Sequence, residues 1–413
     1  MYRWRRILLI TFFVLLIIAI GYVVYAVFFR AVINPGGILN PGQQAGGGLP
    51  IANEGIPGST TNVNGGIGGP GTGLPAASPA SEIASGGLTQ STTLVPTVVS
   101  DPQLAADGRS INYYDRSTGQ YFKIDPKTGA SVPLTDKVFP GVQATSWSPT
   151  GDAKAILQFP DNRKIFFDFE KQAQVSLPSH WEDFSWATNG NEVAAKSLGA
   201  AENNRFLILA NPDGSNARPV AELGRNEALV TVSYSPNNDM IAFSRTGQAR
   251  PLGEQEIIPI GKNKENFRGL VVQGLGVQTI WSPDGARILY SAANAASDWK
   301  PALWVVNGRG DAIGADRKSI GLLTWADKCG FASATVAYCA APRELPTGAG
   351  FGRGIANSTP DDLYRVDLAT GQFRLVASPE DPAAISKVVV TKDGSTLYYT
   401  ELQSGALREI RLR

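Results

Sequence analysis

The feature that most constrains this chain is a short turn that recurs along it. Trp281-Ser282-Pro283-Asp284-Gly285 leads into the apolar run Ile288-Leu289-Tyr290. Pro283 sets φ to about −65°, Asp284 bonds nearby backbone amides, and Gly285 takes positive φ without a steric penalty. The run after the turn reads as a buried strand. The unit is strand, tight turn, strand, and a single hairpin needs further copies to bury its faces.

The copies are present. Trp147-Ser148-Pro149-Thr150-Gly151 precedes Ala155-Ile156-Leu157, and Trp186-Ala187-Thr188-Asn189-Gly190 precedes Val193-Ala194-Ala195. Tyr234-Ser235-Pro236-Asn237-Asn238 precedes Met240-Ile241-Ala242-Phe243. Asp107-Gly108 and Asp393-Gly394 mark weaker outer copies, and a degenerate sixth copy has Phe331 in the Trp place. The strands after the turns align at 113, 157, 195, 243, 290, 338 and 399. Steps of about 38 to 48 residues, with one of about 61, match the period of four-stranded propeller blades. Residues 121–125, 206–209 and 363–367 read as third strands, and 131–134 and 374–376 as short fourth strands. No helical period is sustained beyond the first apolar run, so the expected class is all-β. The expected architecture is a β-propeller of seven four-stranded blades, with six or eight as alternatives, behind one N-terminal α-helix. The last copy ends at its third strand. Residues around 88–95, ahead of the first copy, are expected to supply the fourth and close the ring.

Recurring in phase over residues 88–413, this turn and strand pattern resembles the repeat of TolB-type β-propellers. The resemblance implies a bacterial protein whose propeller is an interaction platform in the cell envelope. Such propellers also occur fused to prolyl-oligopeptidase-type hydrolases, but this sequence has no Gly-x-Ser-x-Gly turn.

Before the repeats, Ile7 to Phe29 is uncharged. As a helix it is about 35 Å long, enough to span a bilayer. Trp4, Tyr22 and Tyr25 lie near its ends, where aromatic rings suit the interface. Arg3, Arg5 and Arg6 precede it and only Arg30 closely follows, which places residues 1–6 in the cytoplasm and the propeller outside. A cleaved signal peptide is the rival reading. Residues 30–87 are rich in Gly, Pro, Ser, Thr and Asn, without apolar period, and read as a flexible tether.

Formal net charge is +1, which gives no reason to expect a nucleic-acid partner. Trp147, Trp186, Tyr234 and Trp281 recur at the blade period and are expected to pack blade against blade. His180 is the only histidine; with Asp183 nearby it is the one candidate for a serine triad, and a loop role is the simpler reading. Asp125, Asp168 and Asp367 end third strands, where carboxylates serve turns. Asp311 and Asp316 are too sparse for a calcium loop, and neither a His/Cys cluster nor a phosphate-binding loop is present, so no cofactor or metal is expected. Cys329 and Cys339 are symmetric about Ala334 and would face each other in a hairpin centred there. They form a disulfide if the domain is exported, or remain two buried thiols. The insertion from Pro342 to Pro360 carries Arg343, Phe351 and Arg353 on a glycine-rich stretch, either a recognition loop or a disordered one.

The expectation is therefore a single-pass membrane protein with a non-catalytic propeller that binds envelope or surface proteins. A glycan or small-ligand sensor is one alternative. A lyase or glycosidase with its site at the central mouth is another.

Overall fold

The computed structural model describes residues 79–413, apart from 126, 152, 249, 251 and 252, together with four residues of the first apolar run. Those four, Phe13, Leu15, Leu16 and Ala19, are α-helical. Most of the proposed span 7–29 and of the tether 30–87 lies outside the described residues. Among the described residues no helix is long and apolar enough to cross a membrane.

Residues 87–411 form a seven-bladed propeller. Blade 1 is Val99–Leu104, Ile111–Asp115, Gln120–Ile124 and Ser131–Pro133; blade 2 is Ala144–Trp147, Lys154–Gln158, Lys164–Asp168 and Ala173–Leu177. Blade 3 is Trp181–Trp186, Val193–Leu198, Arg205–Ala210 and Arg218–Glu222; blade 4 is Val230–Val232, Met240–Ser244, Glu254–Gly261 and Leu270–Gln273. Blade 5 is Leu275–Trp281, Arg287–Ala293, Pro301–Asn307 and Lys318–Leu323; blade 6 is Cys329–Phe331, Val336–Pro342, Asp361–Asp367 and Phe373–Pro379. Blade 7 is Ile385–Val390, Thr396–Glu401 and Leu407–Arg411, completed by Thr92–Val95 from the start of the domain. First strands of blades 1 and 2, 3 and 4, 6 and 7, and 7 and 1 meet, which puts the first strands at the axis.

The closing strand expected around 88–95 is Thr92–Val95, antiparallel to Leu407–Arg411. A second strand just before it was not anticipated. Gly87–Thr89 runs parallel to Phe373–Pro379 and gives blade 6 a fifth strand. Backbone pairing begins earlier still: Ser81 N–H donates to Leu88 (2.9 Å) and Ala84 N–H to Arg411 (2.9 Å). Sheet edges that would otherwise pair with another chain are thus covered by this one.

Second strands are covered by blades on both sides, which is why they are apolar without alternation. Ala155, Ile156 and Leu157 are fully buried, and every residue of Ile111–Asp115 and Met240–Ser244 is buried, the polar Asn112, Asp115 and Ser244 included. The turn motif also works between blades. Trp147 Nε1 donates to the Asp101 carbonyl of blade 1 (2.7 Å), and Trp186 Nε1 to the Ser146 carbonyl of blade 2 (3.1 Å). Trp281 Nε1 donates to Ser233 Oγ of blade 4 (3.0 Å), while the Tyr234 hydroxyl donates to Glu192 of blade 3 (2.6 Å). Each ring therefore packs and also ties its blade to the one before it. Burying about 200 Å² of such a ring contributes roughly 5 kcal/mol before entropy is counted.

The turn glycines fit the same pattern. Gly285 has φ 65°, and a Cβ there would lie 2.7 Å from Asn237 N in the preceding blade's turn. At Gly151, with φ 73°, the nearest atom would be Ala106 N at 2.4 Å. At these two turns only glycine fits, whereas Asn238 takes the same left-handed place in blade 4 (φ 63°). Within the turn, Ser282 Oγ donates to Asp284 (2.7 Å) and accepts from Arg287 N–H (2.9 Å).

Cys329 and Cys339 sit directly opposite each other on antiparallel strands and form a disulfide. Both are buried in the core shared by blades 5 and 6.

Candidate functional site

Antiparallel order divides the connections between two faces. Turns from first to second strand lie on one. Loops from second to third strand, and the links between blades, lie on the other. The long insertion, which accounts for the one wide interval between repeats, is the second-to-third loop of blade 6 and belongs to this second face.

The insertion is folded and docked. Its base is pinched by Arg343 N–H donating to the Pro360 carbonyl (2.9 Å), and the Arg343 guanidinium pairs with Asp362 (2.9 Å). Two short 3-10 turns follow, Ala349–Phe351 and Arg353–Ala356. Gly348 N–H donates to the Asp298 carbonyl (2.9 Å) and Gly350 N–H to the Trp299 carbonyl (2.8 Å), both in the matching loop of blade 5. A Cβ on Gly350 would lie 2.2 Å from the Ala293 Cβ, so this approach requires glycine. On the other side, Gln403 of blade 7 donates to the Asn357 carbonyl (3.4 Å).

The receiving loop is strained. Asp298 and Trp299 hold φ of 52° and 56° in succession. A bulky side chain in the left-handed region costs on the order of 1–3 kcal/mol and persists only where its surroundings enforce it. Here Trp299 N–H donates to the Asn294 carbonyl (2.8 Å), and the Asp298 and Trp299 carbonyls take the two donors from the insertion. The result is a pair of rings, Trp299 partly buried and Phe351 exposed, 5.2 Å apart at 33°. Phe351 is 64% exposed and Ile355 55% exposed. Exposed Leu275 begins the first strand of blade 5, and a Cβ on its neighbour Gly276 would stand 3.1 Å from the Gly350 carbonyl. Of the three insertion residues singled out in the sequence, Arg343 and Phe351 are exposed, and Arg343 is taken up by Asp362. Arg353 pairs with Asp327 and covers the Trp325 ring at 5.4 Å.

Near this ledge, where blade 6 begins, lies a buried ion pair that no motif announced. Lys328 Nζ is 2.5 Å from Asp361, with side-chain exposures of 5% and 0%. The second Asp361 oxygen accepts Ile385 N–H of blade 7 (2.6 Å). Burial pushes the Lys328 amine below its ordinary pKa and the Asp361 carboxyl above its own, each opposed by the partner's charge. The pair joins the end of the blade 5–6 link to the starts of two strands.

Along the axis, Asp101 and Asp183 occupy positive-φ positions (51° and 54°) at bulges in first strands. Asp101 accepts Thr145 N–H of blade 2 (2.9 Å), and Asp183 pairs with Lys196 (2.5 Å). Lys387, on the first strand of blade 7, is exposed to water yet enclosed enough to depress its pKa, with Asp101 opposing the shift. His180 is exposed at the link between blades 2 and 3; its carbonyl accepts Leu198 N–H (2.8 Å), and the nearby Asp183 is engaged by Lys196. Asp125, Asp168 and Asp367 accept backbone amides two or three residues ahead, at 2.9–3.1 Å. Among the described residues no group of three or more His, Cys, Asp or Glu is placed to hold a metal ion.

No model of a known protein family matches the chain, and no curated protein matches its sequence. Solved structures do resemble it. The β-propeller domain of Cps50 (Swd1) from Myceliophteria thermophila is 13% identical, covering 78% of this chain and all of that one, with a TM-score of 0.51. An oligogalacturonate lyase in complex with manganese is 13% identical over 78% of this chain and 93% of its own, with a TM-score of 0.54. Oligogalacturonate lyase from Vibrio parahaemolyticus is 11% identical over the same shares, also at 0.54. At such identities the likeness establishes the seven-bladed fold and nothing finer.

Proposed function

We propose that this chain is a membrane-anchored, extracytoplasmic TolB-like propeller that binds other proteins without catalysis. The contact surface is the ledge of Trp299, Phe351 and Ile355. The observation that carries this reading is the strained Trp299, held at φ 56° by the docked insertion beside a Phe351 that is 64% exposed. A fold that maintains strain in a half-buried ring to hold an exposed one beside it is using the exposed one. Rigid aromatic anchors with an apolar neighbour are the typical centre of a protein interface. The uncharged run 7–29 and its arginines support the anchor and its orientation. The buried disulfide supports an oxidising compartment. A glycan sensor is the second reading, favoured by the Trp299–Phe351 pair as a stacking platform.

The test is a pull-down of the full chain from crosslinked membranes, with Phe351→Ala/Ile355→Ala beside it. A protein retained by the parent and lost from the variant is expected. Equal recovery by both moves the contact elsewhere. A reporter active only outside the cytoplasm, fused after Arg413, should be active; inactivity overturns the orientation.

A further inference from the structure

Away from the ledge, on the opposite face, blades 5 and 6 enclose a cavity of about 570 Å³. Four cations line it, Arg287, Arg309, Arg317 and Lys318, against one carboxylate, Asp316. That imbalance stands out in a chain whose formal net charge is +1. Charged residues with few opposite partners gather where an external counter-charge completes them.

None of the four is neutralised closely within the protein. The Arg287 backbone is used in the turn, but its guanidinium makes no hydrogen bond or ion pair with any described residue. Arg309 reaches only Asp284, at 3.9 Å and at the surface. Arg317 donates one amino group to the Val271 carbonyl of blade 4, and its Nε is buried with no partner. Lys318 donates to the Ala369 carbonyl of blade 6. Backbone carbonyls thus brace Arg317 and Lys318 without cancelling their charge. Val305 and Leu368 lie behind the cavity in the core, 2% and 1% exposed. The volume falls within the usual range of about 300–1,000 Å³ for small-molecule sites. Guanidinium groups grip planar carboxylate or phosphate oxygens in pairs.

We propose that this cavity binds a sugar-sized organic anion, its phosphate or carboxylate held by Arg287, Arg309 and Arg317 and its carbon frame filling the rest of the cavity. The site is independent of the ledge and needs no protein partner. Calorimetric titration of the full chain in lipid nanodiscs tests it, with glucose 6-phosphate, glucuronate, glucose and inorganic phosphate as probes. Saturable binding of glucose 6-phosphate or glucuronate, weakening as salt rises, is expected, and the better of the two names the anion. Arg287→Gln should weaken it about tenfold, and Arg287→Gln/Arg309→Gln further, with melting unchanged. Heat from neither anion, equal affinity for glucose, or an unaffected double variant would overturn the site. Inorganic phosphate bound as tightly as glucose 6-phosphate would overturn the sugar-sized ligand. If the double variant does not fold, the four titrations of the parent still decide.

Discussion

Replacing Lys328 by Met should strip the counter-charge from a carboxylate that water cannot reach. The pair is 2.5 Å apart, and the Asp361 side chain has no exposed surface. Removing one member of such a pair costs about 3–5 kcal/mol, mostly the penalty of the orphaned charge. Methionine fills much the same volume, so the cavity term stays small. In a domain of this size each kcal/mol lowers the melting temperature by roughly 2 °C, so a fall of about 6–10 °C is expected. Asp361→Asn should cost a comparable amount by orphaning the amine. The double variant should cost clearly less than the sum, leaving a coupling energy of about 2 kcal/mol or more. A pH series adds a sign. A carboxyl whose folded pKa is raised, as burial does for Asp361, binds its proton more tightly in the fold. It therefore favours folding at low pH and loses that contribution as pH rises through the folded value. The Lys328→Met deficit should shrink as the buffer is acidified from neutral. Differential scanning calorimetry of the full chain reads all of this. Additive single and double variants, or a Lys328→Met melt within about 1 °C of the parent, would refute the reasoning.

Deleting residues 2–78 should leave a domain that melts cooperatively, while deletion through Pro96 removes both Gly87–Thr89 and Thr92–Val95 and should give aggregation; size-exclusion chromatography separates the two outcomes. Cys339→Ser should release one reactive thiol at Cys329 on denaturation. The lost cross-link, a ten-residue separation, is worth about 2.7 kcal/mol by loop entropy, visible as a lower melting temperature in unreduced samples. Gly350→Ala should push the insertion off Ala293, raising protease cleavage within 343–360 while the melting temperature of the propeller changes little.

Sequence reading reached the parts that repeat. The turn motif carries its own chemistry, so blade number followed from its phase, and the one wide interval located the insertion. The disulfide followed from symmetry about Ala334, because register in a tight hairpin is local. What escaped it is non-local. Ser81–Thr89 has the composition of the tether before it, and only a strand nearly three hundred residues away, Phe373–Pro379, makes a strand of Gly87–Thr89. Lys328 and Asp361 are 33 residues apart and read separately as ordinary surface charges. Trp299 is no turn-former, and its left-handed backbone is enforced by donors some fifty residues later in the insertion. Arg343 and Arg353 looked free in a glycine-rich loop, yet Asp362 and Asp327 engage them. The basic cavity likewise joins the start of one strand to the far end of another.

In the function proposed above, the ring pair on the loop face contacts a partner protein outside the membrane. Placing a photo-crosslinking phenylalanine analogue at Phe351, in the full chain in its native membranes, tests this most directly. Val132, 57% exposed on the outer strand of blade 1, is the control position. A discrete protein adduct from position 351 and none from 132, identifiable by mass spectrometry, is expected. No protein adduct at 351, or the same adducts from both positions, would contradict it.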